Sequence, residues 1–213
     1  MKMKNISFIA LTALICSSCS LFGIGDEEQP KYKVLISDDN KEIREYSPLL
    51  IAKTTVSGSF KEAQKEGFRI LAGFIFGKNK SQEKIEMTSP VTQGPKSEKI
   101  SMTAPVILAE NPGQSWTMTF TMPSQYTQET LPSPDDSTIV IEKVEKKVYA
   151  VLRFTGFWGE ERNRSKGIEL TNWISEQDGY EAISEPLFAG YNPPWTLPFF
   201  RRNEMMVELR PKK

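Results

Sequence analysis

The chain has 213 residues, with 27 Lys and Arg, 27 Asp and Glu, and no histidine. A neutral balance argues against electrostatic binding of nucleic acid. Without histidine there is no Ser-His-Asp triad, no ordinary zinc site and no imidazole general base.

Lys2 and Lys4 precede an apolar run, Ile6 to Ile15, that is too short to span a bilayer. Cys16-Ser17-Ser18-Cys19 follows. Small serines just before Cys19 resemble a bacterial lipobox, in which the cysteine is freed on its N-side and acylated. Cys16 stands where a lipobox usually has an aliphatic residue. The expected organisation is a lipoprotein signal peptide over 1–18, a lipidated Cys19 with a polar tether over 19–30, and a folded domain over 31–213. An ordinary secretory signal is the alternative. Ser20, rather than Asp, after Cys19 points to the cell envelope, at the periplasmic face of the outer membrane in a Gram-negative cell. Cleavage at Cys19 leaves no second cysteine for a disulfide and no free thiol. Removing Lys2 and Lys4 leaves 25 basic against 27 acidic side chains, a net charge near −2. Roughly 180 residues remain, enough for one domain with a substantial core.

A duplication organises that domain. Ile43-Arg44-Glu45-Tyr46 is followed by Ala52, Val56, Gly58 and Phe60. Ile141-Glu142-Lys143-Val144 is followed, at the same spacing, by Ala150, Phe154, Gly156 and Trp158. Each stretch reads as strands ending in Gly-x-aromatic and leading into a helix. The first helix is predicted over Lys61–Phe76, with Ser59 as N-cap and Glu62 completing a capping box. The second is predicted over Glu160–Gln177. Between them, Ile85-Glu86-Met87-Thr88-Ser89-Pro90-Val91 and Ile100-Ser101-Met102-Thr103-Ala104-Pro105-Val106 are nearly the same and read as two similar hairpin strands. Their prolines belong at strand ends or edges. Trp116, Met118, Phe120 and Met122 alternate with threonines, which predicts a strand with one buried face. Val148, Ala150, Leu152 and Phe154 form another strand. Pro123–Ser137 reads as a proline-punctuated loop. The expected fold is α+β: a mostly antiparallel sheet, curved or closed, with two helices.

No phosphate-cradling Gly-Lys-Ser/Thr loop and no G-x-S-x-G elbow occur. No catalytic constellation is recognisable, although a carboxylate pair needs only spatial proximity. Met118 and Met122 lie on an apolar parity and read as core filling; the alternative for the methionines is a thioether Cu(I) site. No metal site is expected. The first helix is charged over Lys61, Glu62, Lys65, Glu66 and Arg69, then has no polar side chain from Ile70 to Phe76. Such an end is either buried all round or lines an apolar cleft. Gly67 and Gly73 weaken a helix, which suggests close approach of another group. Arg201, Arg202 and Glu204 read as an ion pair fixing the C-terminal strand, and Pro193-Pro194 as a loop-shaping element, with a cis bond an option.

The Phe68–Gly77 helix end, the two Met-Thr-x-Pro-Val segments, and Gly190-Tyr191-Asn192-Pro193-Pro194-Trp195 followed by Arg201-Arg202-Asn203-Glu204 resemble the SOUL family of haem-binding proteins. The resemblance spans roughly Tyr32 to Leu209. It implies a distorted antiparallel β-barrel of two pseudo-symmetric halves, each with one helix. It extends to the effector-binding domains of some bacterial regulators, which bind small hydrophobic ligands. The implied activity is reversible, non-covalent tetrapyrrole binding along the first helix. Carried over by position, Lys65 is a basic site and Phe68 an apolar contact. Arg69 shares the Lys65 face, four residues on, and Phe74 is a second ring on that helix; Trp195 completes the expected ligand-binding set. Gly73 and Thr196 depart from the family pattern, standing where basic residues are expected. With no histidine, iron ligation is left to Tyr, Met or Lys, or to hydrophobic enclosure alone. The expected function is therefore a membrane-anchored envelope protein that binds haem or a related tetrapyrrole, with no nucleic-acid partner. The alternatives are an envelope lipoprotein using the fold for protein contacts, and an enzyme acting on a tetrapyrrole or other apolar substrate.

Overall fold

A computed structural model describes residues 27–81, 97–193 and 195–212. The leader, Cys16, Cys19 and the first Met-Thr-x-Pro-Val segment lie outside the described residues, as does Pro194. The elements in chain order are β1 (Tyr32–Asp38), β2 (Lys41–Tyr46), β3 (Leu49–Ser57), α1 (Phe60–Ile75), β4 (Asn79–Lys80), β5 (Val106–Asn111) and β6 (Ser115–Thr121). They continue with β7 (Ser133–Pro134), β8 (Val140–Val144), β9 (Lys147–Phe154), α2 (Glu160–Ser175), β10 (Tyr180–Ala182), β11 (Leu187–Gly190), a 3-10 turn (Pro198–Phe200) and β12 (Asn203–Pro211).

Nine strands form a sheet in the order β1-β2-β9-β12-β11-β5-β6-β3-β8, and β10 adds to β12. Every pairing in it is antiparallel. The sheet curls into a half-barrel around two helices, the expected α+β fold. Each half has two strands followed by a helix, β2-β3-α1 and β8-β9-α2, and the strands pair between the halves, β2 with β9 and β3 with β8. The duplicated glycines take equivalent places. Gly58 (φ +122°) and Gly156 (φ +100°) both turn in the left-handed region that glycine enters without strain. Each donates its N–H to a hairpin or loop of its own half, Gly58 to Gln114 O at 3.0 Å and Gly156 to Pro198 O at 2.8 Å.

Both helices pack on one face of the sheet. The main core joins Leu71, Phe74 and Ile75 of α1 and Leu170, Trp173 and Ile174 of α2 to Ile43, Met118, Phe120, Leu152 and Met205. Trp116, Met118, Phe120 and Met122 are all buried, as their period predicts. Thr117 and Thr119 are partly covered, whereas Thr121 is buried, its carbonyl accepting from the Thr103 hydroxyl. The Ser59 N-cap forms its capping box: the Glu62 carboxylate accepts from the Ser59 N–H at 3.0 Å and from its hydroxyl at 2.7 Å. Gly67 answers the need for close approach, since a Cβ there would lie 3.0 Å from Met118 Cβ.

Two expectations are corrected. Residues 100–105 are not a hairpin strand. Their backbone groups go elsewhere: Ile100 N–H caps the Ile75 carbonyl at the end of α1 (2.8 Å), and Ala104 N–H donates to Glu28 O (3.0 Å). The strand starts only at Val106, just after Pro105. The Pro123–Ser137 loop contains a short strand, because Ser133 and Pro134 of β7 pair with β4. A cis bond occurs at Ala104–Pro105.

The opposite face of the sheet carries a smaller cluster, including Tyr46, Val151, Tyr191 and Met206. Within it lies Glu204, with no solvent exposure. Arg202 grips its Oε1 through Nε (3.0 Å) and Nη2 (2.8 Å); Arg44 Nη1 (3.0 Å) and the Tyr191 hydroxyl (2.6 Å) donate to its Oε2. Of the ion pair expected at Arg201, Arg202 and Glu204, the Arg202–Glu204 part is present, two N–H groups converging on one carboxylate oxygen, whereas Arg201 Nε donates to Thr196 O at 2.7 Å. Burial pushes the Tyr46 phenol up to about 12; the Glu204 charge adds to this and the Arg44 charge opposes it. Burial, then the Glu204 charge, raises Tyr191 well above the ordinary phenol range. Both raised values favour the neutral phenol in the folded state, so the stability they contribute is present below the unfolded phenol value of about 10 and lost as pH rises through the folded value. Urea midpoints should fall between about pH 10 and 12, and Tyr46→Phe should shrink that fall. An equal fall in both proteins would contradict the Tyr46 assignment.

Candidate functional site

The two Gly-x-aromatic motifs end at the same place. Phe60 opens α1 and Trp158 lies just before α2. Their rings approach to 6.0 Å, edge to face. Phe60 also meets Trp116 at 5.2 Å, and Trp158 stacks on Phe188 at 5.0 Å and 27°. Trp116 Nε1–H donates to the Gly58 carbonyl at 3.2 Å, which fixes that indole. Four aromatic residues from both halves thus form an arch where the two helices start.

Against this arch, between α2 and strands β5, β6 and β11, runs a groove of about 700 Å³ that α1 reaches only through Phe60. Its walls are Phe60, Leu108, Trp116, Ile168, Pro186, Phe188 and Met205, and its rim carries Glu110, Glu160, Arg164 and Glu185. The volume falls within the roughly 300–1,000 Å³ usual for small-ligand sites. α2 comes close to the sheet because Gly167 has no side chain: a Cβ there would be 3.0 Å from Pro186 Cβ. On the rim, Arg164 and Glu160 pair at 3.5 Å in an exposed position, an interaction of little energetic weight.

Asn163, in the first turns of α2, lines the same groove. Both polar atoms of its amide are buried with no hydrogen-bond partner among the described residues. A buried unsatisfied amide is costly, so it points to a ligand-facing role. Asn163→Leu should raise unfolding stability by about 1–3 kcal/mol, the size of the penalty it relieves. A destabilised variant would mean that the amide has a partner.

The residues expected to bind ligand lie elsewhere. Lys65 and Arg69 are exposed on the outer side of α1, where Arg69 Nε bonds Glu66 at 2.8 Å. Phe68 is 38 % exposed and leans on Phe120 at 5.6 Å. Phe74 is 1 % exposed and sits in the core. It and Arg69 share only a cleft of about 220 Å³, with Ile70, Lys78, Asp135, Asp136 and Ile139. Trp195 is 72 % exposed, on the loop after β11. None of the five lines the groove. Met118 and Met122 are core residues, as expected. No cluster of three or more His, Cys, Asp or Glu able to hold a metal occurs among the described residues. Asn163 gave no sequence signal, because a polar residue in an amphipathic helix looks like surface. The aromatic arch did give one, in the duplicated Gly-x-aromatic spacing.

The chain is thus a curled α+β half-barrel with an apolar groove beside α2. The model of the SOUL heme-binding protein family matches residues 27–208. The chain is 31% identical over 171 residues to heme-binding protein 2 of Mus musculus, covering 78% of this chain and 76% of that one. It is 32% identical over 198 residues to heme-binding protein 1 of Xenopus tropicalis, covering 87% and 93%. The protein belongs to the SOUL family. Solved structures share the fold at low identity. The EcmrR C-terminal domain superposes with a TM-score of 0.57 at 10% identity, covering 84% of this chain and 98% of that chain. A hydrolase from Listeria innocua gives 0.51 at 10%, covering 83% and 94%.

Proposed function

We propose that the protein binds haem or a related tetrapyrrole non-covalently in the groove between α2 and the sheet, and that it does so from the cell envelope, held by a lipid on Cys19. Membership of the SOUL heme-binding family supports the ligand class. The observation that carries the site is the groove itself, with aromatic walls from both halves and an unsatisfied amide on its lining. A flat apolar ring system suits aromatic walls, and burial of a large apolar area drives binding without a specific bond. Met205 is the thioether among the lining residues and the softest available iron donor. The chain's own part is enclosure: Phe60, Trp116 and Phe188 exclude water, and Arg164 offers a cation at the rim.

Haemin titration tests the site. Ile168 lies on the groove yet is exposed, so Ile168→Asp places a charge there without emptying the core. The parent should show a saturable spectral shift with micromolar affinity, about −8 kcal/mol. Ile168→Asp should weaken it about tenfold or more, a loss of about 1.4 kcal/mol, while Phe68→Asp leaves it unchanged. The reverse order would move the ligand to the outer face of α1. No saturable binding would leave protein contact as the better reading.

The anchor is tested separately. Replacement of Cys19 by Ala should release the protein from membranes, because stable attachment needs more than one acyl chain on the processed cysteine. Release by Cys16→Ala with Cys19→Ala still attached would displace the cleavage site.

A further inference from the structure

Five large apolar side chains stand in solvent at one end of the molecule. Phe157 (70 % exposed) precedes α2; Trp195 (72 %), Leu197, Phe199 (64 %) and Phe200 occupy the loop between β11 and β12. They are carried on a built scaffold. Gly156 N–H donates to Pro198 O at 2.8 Å and Asn203 Nδ2 to Gly156 O at 3.1 Å, joining the two loops. Thr196 is buried, and its carbonyl accepts from Arg201 Nε at 2.7 Å. The Arg201 guanidinium lies 5.9 Å from the Phe157 ring centre, and the Phe199 and Phe200 rings meet at 4.6 Å. Rings held outward by buried polar anchors are not a failure of packing. Exposed apolar groupings of this kind mark an interaction surface.

The chain enters the domain beside this loop. Gln29 Oε1 accepts from Arg202 Nη1 at 3.0 Å, two residues after Phe200. Residues 19 and 27 are eight apart, so a Cys19 anchored in lipid lies within about 29 Å of Glu27. A domain tethered that closely meets the bilayer, and it meets it nearest the point of attachment.

We propose that Phe157, Trp195, Leu197, Phe199 and Phe200 form a membrane-docking surface that seats the domain on the lipid interface. The anchored reading supplies the location, but the surface acts without the anchor. Charges around it are mixed: Arg162, Arg164 and Arg201 stand against Glu160 and Glu161. Attraction to anionic lipid is therefore not the driving term. The rings themselves are, with indole and phenyl groups suited to the headgroup boundary.

The test uses residues 27–213, which contain every described strand and helix and the whole core. This domain is mixed with phosphatidylcholine vesicles and sedimented. It should partition to the vesicles and stay there in about 1 M salt. The triple variant Phe157→Ser, Trp195→Ser, Phe199→Ser, shown folded by circular dichroism, should lose about tenfold or more of that partition. A parent that stays in the supernatant overturns the proposal, and so does release by salt or a variant that partitions like the parent. Haemin titration of the variant separates this surface from the ligand site. Unchanged affinity supports a distinct docking surface; lost affinity assigns the rings to ligand binding and removes the docking role. The anchored reading stands or falls on Cys19→Ala alone.

Discussion

Glu204 is a carboxylate fully removed from water, and that fact constrains much of the fold. Taking an ion out of water costs several kcal/mol unless its charge and lone pairs are met. Here Arg44 comes from β2, Arg202 from the approach to β12, and Tyr191 from the end of β11. Removing one such partner typically destabilises a protein by about 3–5 kcal/mol. The cluster therefore requires strands from both ends of the chain to be in register together. Tyr32 and Gln29 close it from outside, the Tyr32 ring lying 4.5 Å from the Arg44 guanidinium and Gln29 binding Arg202. Residues 27–30, read from sequence as the end of a tether, are bonded to the domain by this route.

The other face of the sheet carries the helices and, among the described residues, no buried ion. Alternation along β12 makes the division: Glu204 and Met206 face the ionic cluster, while Met205 and Val207 face the core. The groove lies on the core side, where the two halves meet. In a duplicated fold the join between repeats is the place where both copies of a motif face each other. Phe60 and Trp158 do so here. Of that pair, Phe60 lines the groove and Trp158 backs it by stacking on Phe188.

How far the sequence could be read follows from the range of the interactions. Local period made β6 legible, since alternation of Trp116, Met118, Phe120 and Met122 is enough to assign a face. The Ser59 capping box is equally local. Arg202 and Glu204 were legible as a pair because they are two residues apart on one strand, but Arg44, the third charge, lies far off in sequence and carried no sign of its role. The apolar end of α1 defeated the assignment of sides. With Ile70, Leu71, Phe74, Ile75 and Phe76 all apolar, periodicity cannot say which ring faces the core. Packing places Phe74 inside and leaves Phe68 at the edge, because Gly67 brings the helix onto Met118 at that point. Asn163 was illegible because burial of a lone polar residue depends on what the other half of the molecule brings to it.

The absence of histidine gives the proposed ligand reading its physical character. An imidazole bond to iron would make the metal the main determinant of affinity. Without it, binding free energy follows the apolar area that Phe60, Trp116, Phe188 and their neighbours remove from water. Where Met205 is not a ligand, the metal contributes little and haem binds much as a metal-free porphyrin does. Selectivity moves to the edge of the ring system, where the groove carries the amides of Asn111, Asn163 and Asn172, the Thr171 hydroxyl and the charges of Arg164, Glu110, Glu160 and Glu185.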